Sequence, residues 1–136
     1  MMPEAFYRTS VKALIKNQEG KILLAKEETG MWELLGGGLD HGENPQEGLQ
    51  REVFEETGLQ IHSIALQPSF YLTFPVTERK YYAANVLFKA QIENLDFTPS
   101  DECIDLQYFS PEEILQRDDM FQNVQMLAKL ILESKS

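Results

Sequence analysis

An α/β fold is what this sequence predicts, and three features predict it. Strand-like runs rich in β-branched and aromatic residues occupy both halves of the chain. Between them lies one segment with complete helix start and stop signals, Pro45 to Thr57. The chain then closes on an amphipathic helical pattern from Met120 to Glu133. Its 136 residues read as one domain, 1–136, large enough to bury a core without covalent staples.

Taken in order, Val11 to Lys16 and Lys21 to Lys26 are β-prone runs around Asn17-Gln18-Glu19-Gly20, which reads as a hairpin turn. Trp32 to Leu35 is a short strand stopped by Gly36-Gly37-Gly38. Asn44 is a good N-cap for the central helix, with Pro45 in the first turn, Glu47 completing a capping-box-like pair and Gly58 at the left-handed C-terminal position. Ile61 to Phe74 and Lys80 to Ile92 are two further strand regions, separated by a turn over Pro75 to Arg79. Ile104 to Phe109 is the last strand. Ser110 and Pro111 then open a helix. In the terminal pattern Met120, Val124, Leu127 and Ile131 recur at helical spacing, a face suited to docking on a sheet.

Composition narrows the function. The hydrophobic fraction is 43% and the charged fraction 25%, ordinary for a soluble protein. The one cysteine, Cys103, cannot form an internal disulfide, and no apolar run approaches the ~20 residues that span a bilayer. With no secretory signal pattern at the N-terminus, the expectation is a cytoplasmic protein without membrane partners. The net charge of -10 argues against polymeric nucleic acid, because an acidic surface releases no phosphate counterions. Between Asp40 and Glu56 stand six acids and one base, Arg51, half of the whole excess.

On the central helix, at about 100° per residue, Glu52, Glu55 and Glu56 share one narrow stripe, with Leu49 and Val53 beside it facing the core. Each like-charge pair at such spacing costs a helix roughly 0.2–0.5 kcal/mol. A divalent cation removes that conflict, and hard cations take oxygen ligands. Gly48 lies on the same stripe, where its missing side chain leaves room for a metal or ligand. Gly36-Gly37-Gly38 lets backbone approach a ligand closely, and a bare carbonyl there adds an oxygen.

Gly37, Glu43 and Arg51-Glu52-Val53-Phe54-Glu55-Glu56-Thr57-Gly58-Leu59, with five and seven residues between them, resemble the Nudix box of the MutT-like Nudix hydrolases at every specified position over 23 residues. The resemblance implies the Nudix fold, an α/β/α sandwich with a mixed β-sheet. It implies attack of water on a nucleoside diphosphate derivative, an ADP-ribose-like sugar or a nucleoside triphosphate, with release of a nucleoside monophosphate. It implies Mg2+, with Mn2+ as an alternative, held by Glu52, Glu55, Glu56 and the Gly37 carbonyl. Glu43 and Arg51 resemble residues that brace the loop, although Glu47 and Arg51 also stand at a favourable helix-surface spacing. Glu102 loosely matches a glutamate that the family often draws from a loop, and the general base stays open between Glu52, Glu55 and Glu102. Leu35 departs from the family's common proline before the glycines, a matter of loop stiffness.

Phe70, Tyr71, Phe74, Tyr81 and Tyr82 can stack a nucleobase, but strand packing accounts for most of them. Lys26, Arg79 and Lys80 are available to phosphates, and His41 and His62 are too far apart to read as a zinc pair. Pro75, 16 residues past Leu59, resembles a proline of ADP-ribose-cleaving members. A catalytically silent nucleotide-binding or regulatory module is the alternative reading, disfavoured because all three carboxylates are present. A calcium module is disfavoured because the acids lie on a helix face and not in a 12-residue loop. Homodimer formation is left open.

The charge balance generates a first prediction. Duplex DNA should bind negligibly at physiological salt in a fluorescence-anisotropy titration, and tight, salt-sensitive binding would refute it.

Overall fold

The computed structural model describes residues 6–76 and 81–134. Strand β1 is Tyr7–Leu14, β2 Ile22–Lys26, β3 Trp32–Glu33 and β4 Gly36–Gly38, followed by helix α1, Pro45–Thr57. Then come β5, Ile61–Ile64; β6, Phe70–Val76; β7, Tyr81–Ile92; and β8, Asp105–Phe109. Helices α2, Pro111–Leu115, and α3, Gln122–Ser134, complete the chain. The strands form a five-stranded mixed sheet, in which β1 and β7 run parallel, and a three-stranded antiparallel sheet ordered β3-β2-β8. Among the described residues no helix is long and apolar enough to cross a membrane.

Strand alternation divides the core into two layers. Val11, Ala13, Ile15, Leu23 and Ala25 pack with Leu49 and Val53 of α1. Leu14, Ile22 and Leu24 face the other way, onto Ile114 of α2 and Val124, Leu127 and Ile131 of α3. Both sheets contribute to both layers, and the α/β/α sandwich follows.

Several boundaries differ from the sequence expectations: β1 starts at Tyr7, β6 runs on through Pro75 and Val76, and further differences bear on the fold. The turn after β1 forms, with Asn17 Oδ1 accepting from the amides of Glu19 and Lys21. Beyond the Lys16–Ile22 bridge, however, the strands part into different sheets, because β7 and β4 already occupy both edges of β1. The glycines continue the sheet as β4, antiparallel to β1, where they were expected to end a strand. The expected strand from Ile61 to Phe74 is two strands on the same edge of β7, and the Ala65–Ser69 break contains Pro68. Met120 precedes α3: it bridges Trp32, and the Phe121 amide donates to the Trp32 carbonyl. Arg79 and Lys80 lie outside the described residues.

Asn44 and Gly58 cap α1 as expected, but the Glu47 side chain does not bond back to the Asn44 amide to complete a capping box. Asn44 Oδ1 accepts from the Glu47 amide, and Gly58, at φ +73°, donates to the Phe54 carbonyl. Ser110 and Glu113 form a reciprocal capping box on α2.

Because α3 covers its layer through fully buried side chains, Leu127→Ala should cost about 2–5 kcal/mol in urea denaturation. Leu130→Ala, on the partly exposed face of the same helix, should stay within about 0.5 kcal/mol of wild type. Equal costs would contradict this packing.

Candidate active site

The glycine strand β4 and the acidic edge of α1 meet with no side chain between them. A Cβ on Gly37 would lie 2.3 Å from Glu52 Oε2, so the Glu52 carboxylate rests on the glycine backbone. Gly36 has φ +133°, and a Cβ there would lie 2.0 Å from the Val11 carbonyl oxygen. Gly36 therefore requires glycine, whereas a side chain at Gly37 would displace the Glu52 carboxylate. The Gly36 amide donates to Glu56 Oε1 at 2.9 Å.

The ladder decides which carbonyls face outward. The Ala13 amide donates to the Leu35 carbonyl, and the Leu39 amide to the Thr9 carbonyl. Bonded and non-bonded pairs alternate in an antiparallel ladder. Gly37 accordingly faces Val11 as a bonded pair, while Gly36 and Gly38 turn their polar groups away from β1. The Gly38 carbonyl accepts from Arg51 Nη2 at 3.1 Å, and the Gly36 carbonyl accepts from Lys12 Nζ at 3.4 Å.

Arg51 is the hub of the loop before the helix. Its Nε and Nη2 donate to the two oxygens of Glu43 at 2.7 and 3.0 Å, a bidentate pair. Nη1 donates to Glu52 at 3.1 Å and to Glu55 at 3.3 Å. Arg51 thus turns to Glu43, Glu52 and Glu55, and the helix-surface pair with Glu47 does not form. Glu43 also accepts from the Asp40 amide at 2.9 Å, closing the loop. Gly48 opens no ligand space: a Cβ there would meet Leu39 at 2.4 Å and Glu43 at 2.9 Å, so the loop itself fills that gap.

The acids differ sharply in environment. Glu56 is 8% exposed, and burial pushes its carboxyl up to about 8, against the pull of Lys12 and the Gly36 amide. Burial also raises Glu52, against its bond from Arg51. Glu55 is mostly exposed. The charge of Glu102 is felt at both Glu52 and Glu56, so the loop carrying it does approach the acidic edge. Ser100 docks that loop, its hydroxyl donating to the Glu56 carbonyl at 2.7 Å.

Among the described residues, no group of three or more His, Cys, Asp or Glu side chains is placed, as they stand, to hold a metal ion. Arg51 engages Glu52 and Glu55, and the Gly36 amide takes one oxygen of Glu56. The donors are nonetheless hard oxygens on one open edge. That suits magnesium, which keeps waters and shares its shell with substrate phosphate.

Sequence reasoning missed a buried polar chain beside this edge. Lys12 pairs with Glu33 Oε2 at 3.8 Å. Asn123 Nδ2 donates to Glu33 Oε1 and to Asn85 Oδ1, both at 2.8 Å. Lys12 stands between Val11 and Ala13 and Asn85 between Ala84 and Val86, polar residues among apolar neighbours, which was the available signal. A cavity of about 320 Å³ adjoins this chain, lined by Met31, Glu33, Phe74, Phe121, Gln122 and Asn123 among others. Of the aromatic residues expected to stack a base, only Phe74 lines it; Phe70 packs on the core, and Tyr82 lies against Tyr7. Pro75 sits on the sheet-edge strand β6, where its carbonyl accepts from Gln122. His62 pairs with Glu93 away from the edge.

A family model described as NUDIX domain matches residues 6–130. The nucleoside triphosphatase NudI of Salmonella agona is 33% identical over 124 residues, covering 82% of this chain and 87% of that protein. An RNA pyrophosphohydrolase of Actinobacillus succinogenes is 42% identical over 55 residues, covering 40% of this chain. Such local matches span only 28% to 36% of those relatives' own length. The crystal structure of a MutT protein from Methanosarcina mazei Go1 is 29% identical, with a TM-score of 0.76, covering 99% of this chain and 100% of the other.

The Glu43–Arg51 pair generates a pH prediction. Hydrogen bonds from Arg51, and then from the Asp40 amide, hold the Glu43 carboxyl down to about 2 from an ordinary 4.5. The folded chain therefore binds fewer protons here than the unfolded one. The stabilisation is complete above pH 4.5 and is lost as pH falls toward 2. In urea denaturation, Glu43→Gln should be less stable than wild type near neutrality, with the gap closing over that window. A gap that stays constant as pH falls would refute the assignment.

Proposed function

This chain belongs to the Nudix hydrolase family, and on that premise we propose that it is a magnesium-dependent pyrophosphohydrolase of small nucleotides, with nucleoside triphosphates as the leading substrate class. One observation carries the reading: the box acids Glu52 and Glu56 lie directly on the glycine strand, Glu52 against Gly37 and Glu56 bonded to the Gly36 amide. Similarity to a nucleoside triphosphatase over 82% of this chain supports the triphosphate class over ADP-ribose-like sugars.

In this reading Glu52, Glu55 and Glu56 would hold a divalent ion. The Gly36 carbonyl joins them in place of that of Gly37, since the ladder turns Gly36 outward and engages Gly37 with Val11. An ion held there would supply neutralisation of phosphate charge and a lowered pKa for water. Arg51, anchored on Glu43 and the Gly38 carbonyl, keeps Glu52 and Glu55 oriented and holds the loop against the helix. A glutamate takes the proton from the attacking water, and the candidates are Glu52, Glu55 and Glu102. Water adds to phosphorus as the bridging P–O bond breaks, so a triphosphate yields a nucleoside monophosphate and pyrophosphate. The cavity beside Glu33 and Phe74 is the place for the nucleoside.

A screen of nucleoside triphosphates, ADP-ribose, dinucleoside polyphosphates and 5′-triphosphorylated RNA, with and without magnesium, tests the function. Magnesium-dependent pyrophosphate release from a nucleoside triphosphate is expected; no turnover of any of them would end the proposal and favour the silent binding module. Glu56→Gln tests the site. The amide oxygen can still accept from Gly36, so circular dichroism and thermal stability should be preserved. Turnover should fall by orders of magnitude with the loss of an anionic ligand. Near-normal turnover in the variant would remove Glu56 from the site.

A further inference from the structure

Strand β4 presents a mechanical problem. Three successive glycines have no side chains to fix their backbone and the greatest conformational freedom of any residue. Their orientation must come from neighbouring groups. Glu52 packs on Gly37, Glu56 takes the Gly36 amide and Arg51 takes the Gly38 carbonyl; all three belong to the box. The Gly36 carbonyl also points outward, and its partner is Lys12, which stands outside the box.

Lys12 is an unusual residue for its place. It lies within the apolar run from Val11 to Ile15 and is only 7% exposed. Burying an ammonium is costly unless it is paired and hydrogen-bonded. Here it has two partners, the Gly36 carbonyl at 3.4 Å and Glu33 Oε2 at 3.8 Å. Gly36 is thereby clamped from both sides, its amide by Glu56 and its carbonyl by Lys12.

We propose that Lys12 is a positioning residue for hydrolysis, fixing the direction of the Gly36 carbonyl at the acidic edge, with Glu33 holding the ammonium in place. The inference rests on the proposed role of that carbonyl as a ligand. It makes Lys12 more than a counter-ion for Glu33. A carbonyl set by one clamp on each side of a glycine loses its direction when one clamp is removed, while the nucleotide cavity keeps its shape.

Lys12→Met keeps the aliphatic stem and removes the donor. In the folded variant, kcat for the best nucleoside triphosphate should fall about tenfold or more, with KM within about threefold of wild type, as expected for a misplaced group outside the substrate's binding surface. Without any metal, the Gly36 and Gly37 amides should shift in NMR spectra and exchange faster with solvent. The loss should persist when Glu33→Gln is added. Unchanged kcat together with unchanged Gly36 and Gly37 amides overturns the proposal. So does a defect confined to KM, which would give the ammonium to substrate binding, or full recovery in the double variant, which would make Lys12 a counter-ion for Glu33. If Lys12→Met does not fold, Lys12→Leu, which also lacks a donor, is read by the same criteria. If wild type hydrolyses no nucleotide, the proposed function fails by itself, and the amide measurements alone decide the role of Lys12.

Discussion

The close approach of a side-chain-free strand to an acidic helix edge is the contact from which the rest of this site follows. Glu52 can rest on the sheet only because Gly37 has no Cβ, and β4 can follow β1 only because Gly36 adopts φ +133° against the Val11 carbonyl. A side chain at Gly37 would displace the Glu52 carboxylate, and one at Gly36 would strike the β1 backbone at Val11 and Lys12.

That closeness creates an electrostatic problem, which the surrounding residues answer from two directions. Arg51 gathers Glu43, Glu52 and Glu55 on the solvent side. Lys12 stands on the buried side, near Glu33 and within the field of Glu56. Even so, burial leaves Glu56 with a strongly raised affinity for protons. The hard carboxylate oxygens of Glu52, Glu55 and Glu56, gathered on one open edge, are chemically suited to a divalent ion. The layers outside the site serve this arrangement: α1 is pinned by Leu49 and Val53, and the Glu102 loop by the Ser100 hydroxyl on the helix backbone.

The buried chain of Lys12, Glu33, Asn123 and Asn85 links elements far apart in sequence. It joins β1, β3, β7 and α3 beneath the cavity proposed for the nucleoside. Polar groups so deep in a sheet constrain one another, because each left without its partner would pay the full cost of burial. The same chain lines the cavity at Glu33 and Asn123 and, through Lys12, which does not line it, reaches the hydrolytic edge.

The sequence by itself determined whatever depends on local geometry. The bounds of α1 were legible because Asn44, Pro45 and Gly58 are local signals, and the stripe of Glu52, Glu55 and Glu56 followed from helical periodicity. The box spacing identified the chemistry for the same reason, since its residues fall within one loop and one helix. Tertiary structure decided what depends on partners distant in the chain. The strands after Asn17 part because β7 and β4 claim both edges of β1. The space beside Gly48 is filled by Leu39 and Glu43, so it holds no ligand. Strand register turns Gly36 outward, and register is a relation between two strands that neither carries alone. Lys12 reads in sequence as one lysine in an apolar run; only the fold brings it to Gly36, 24 residues away.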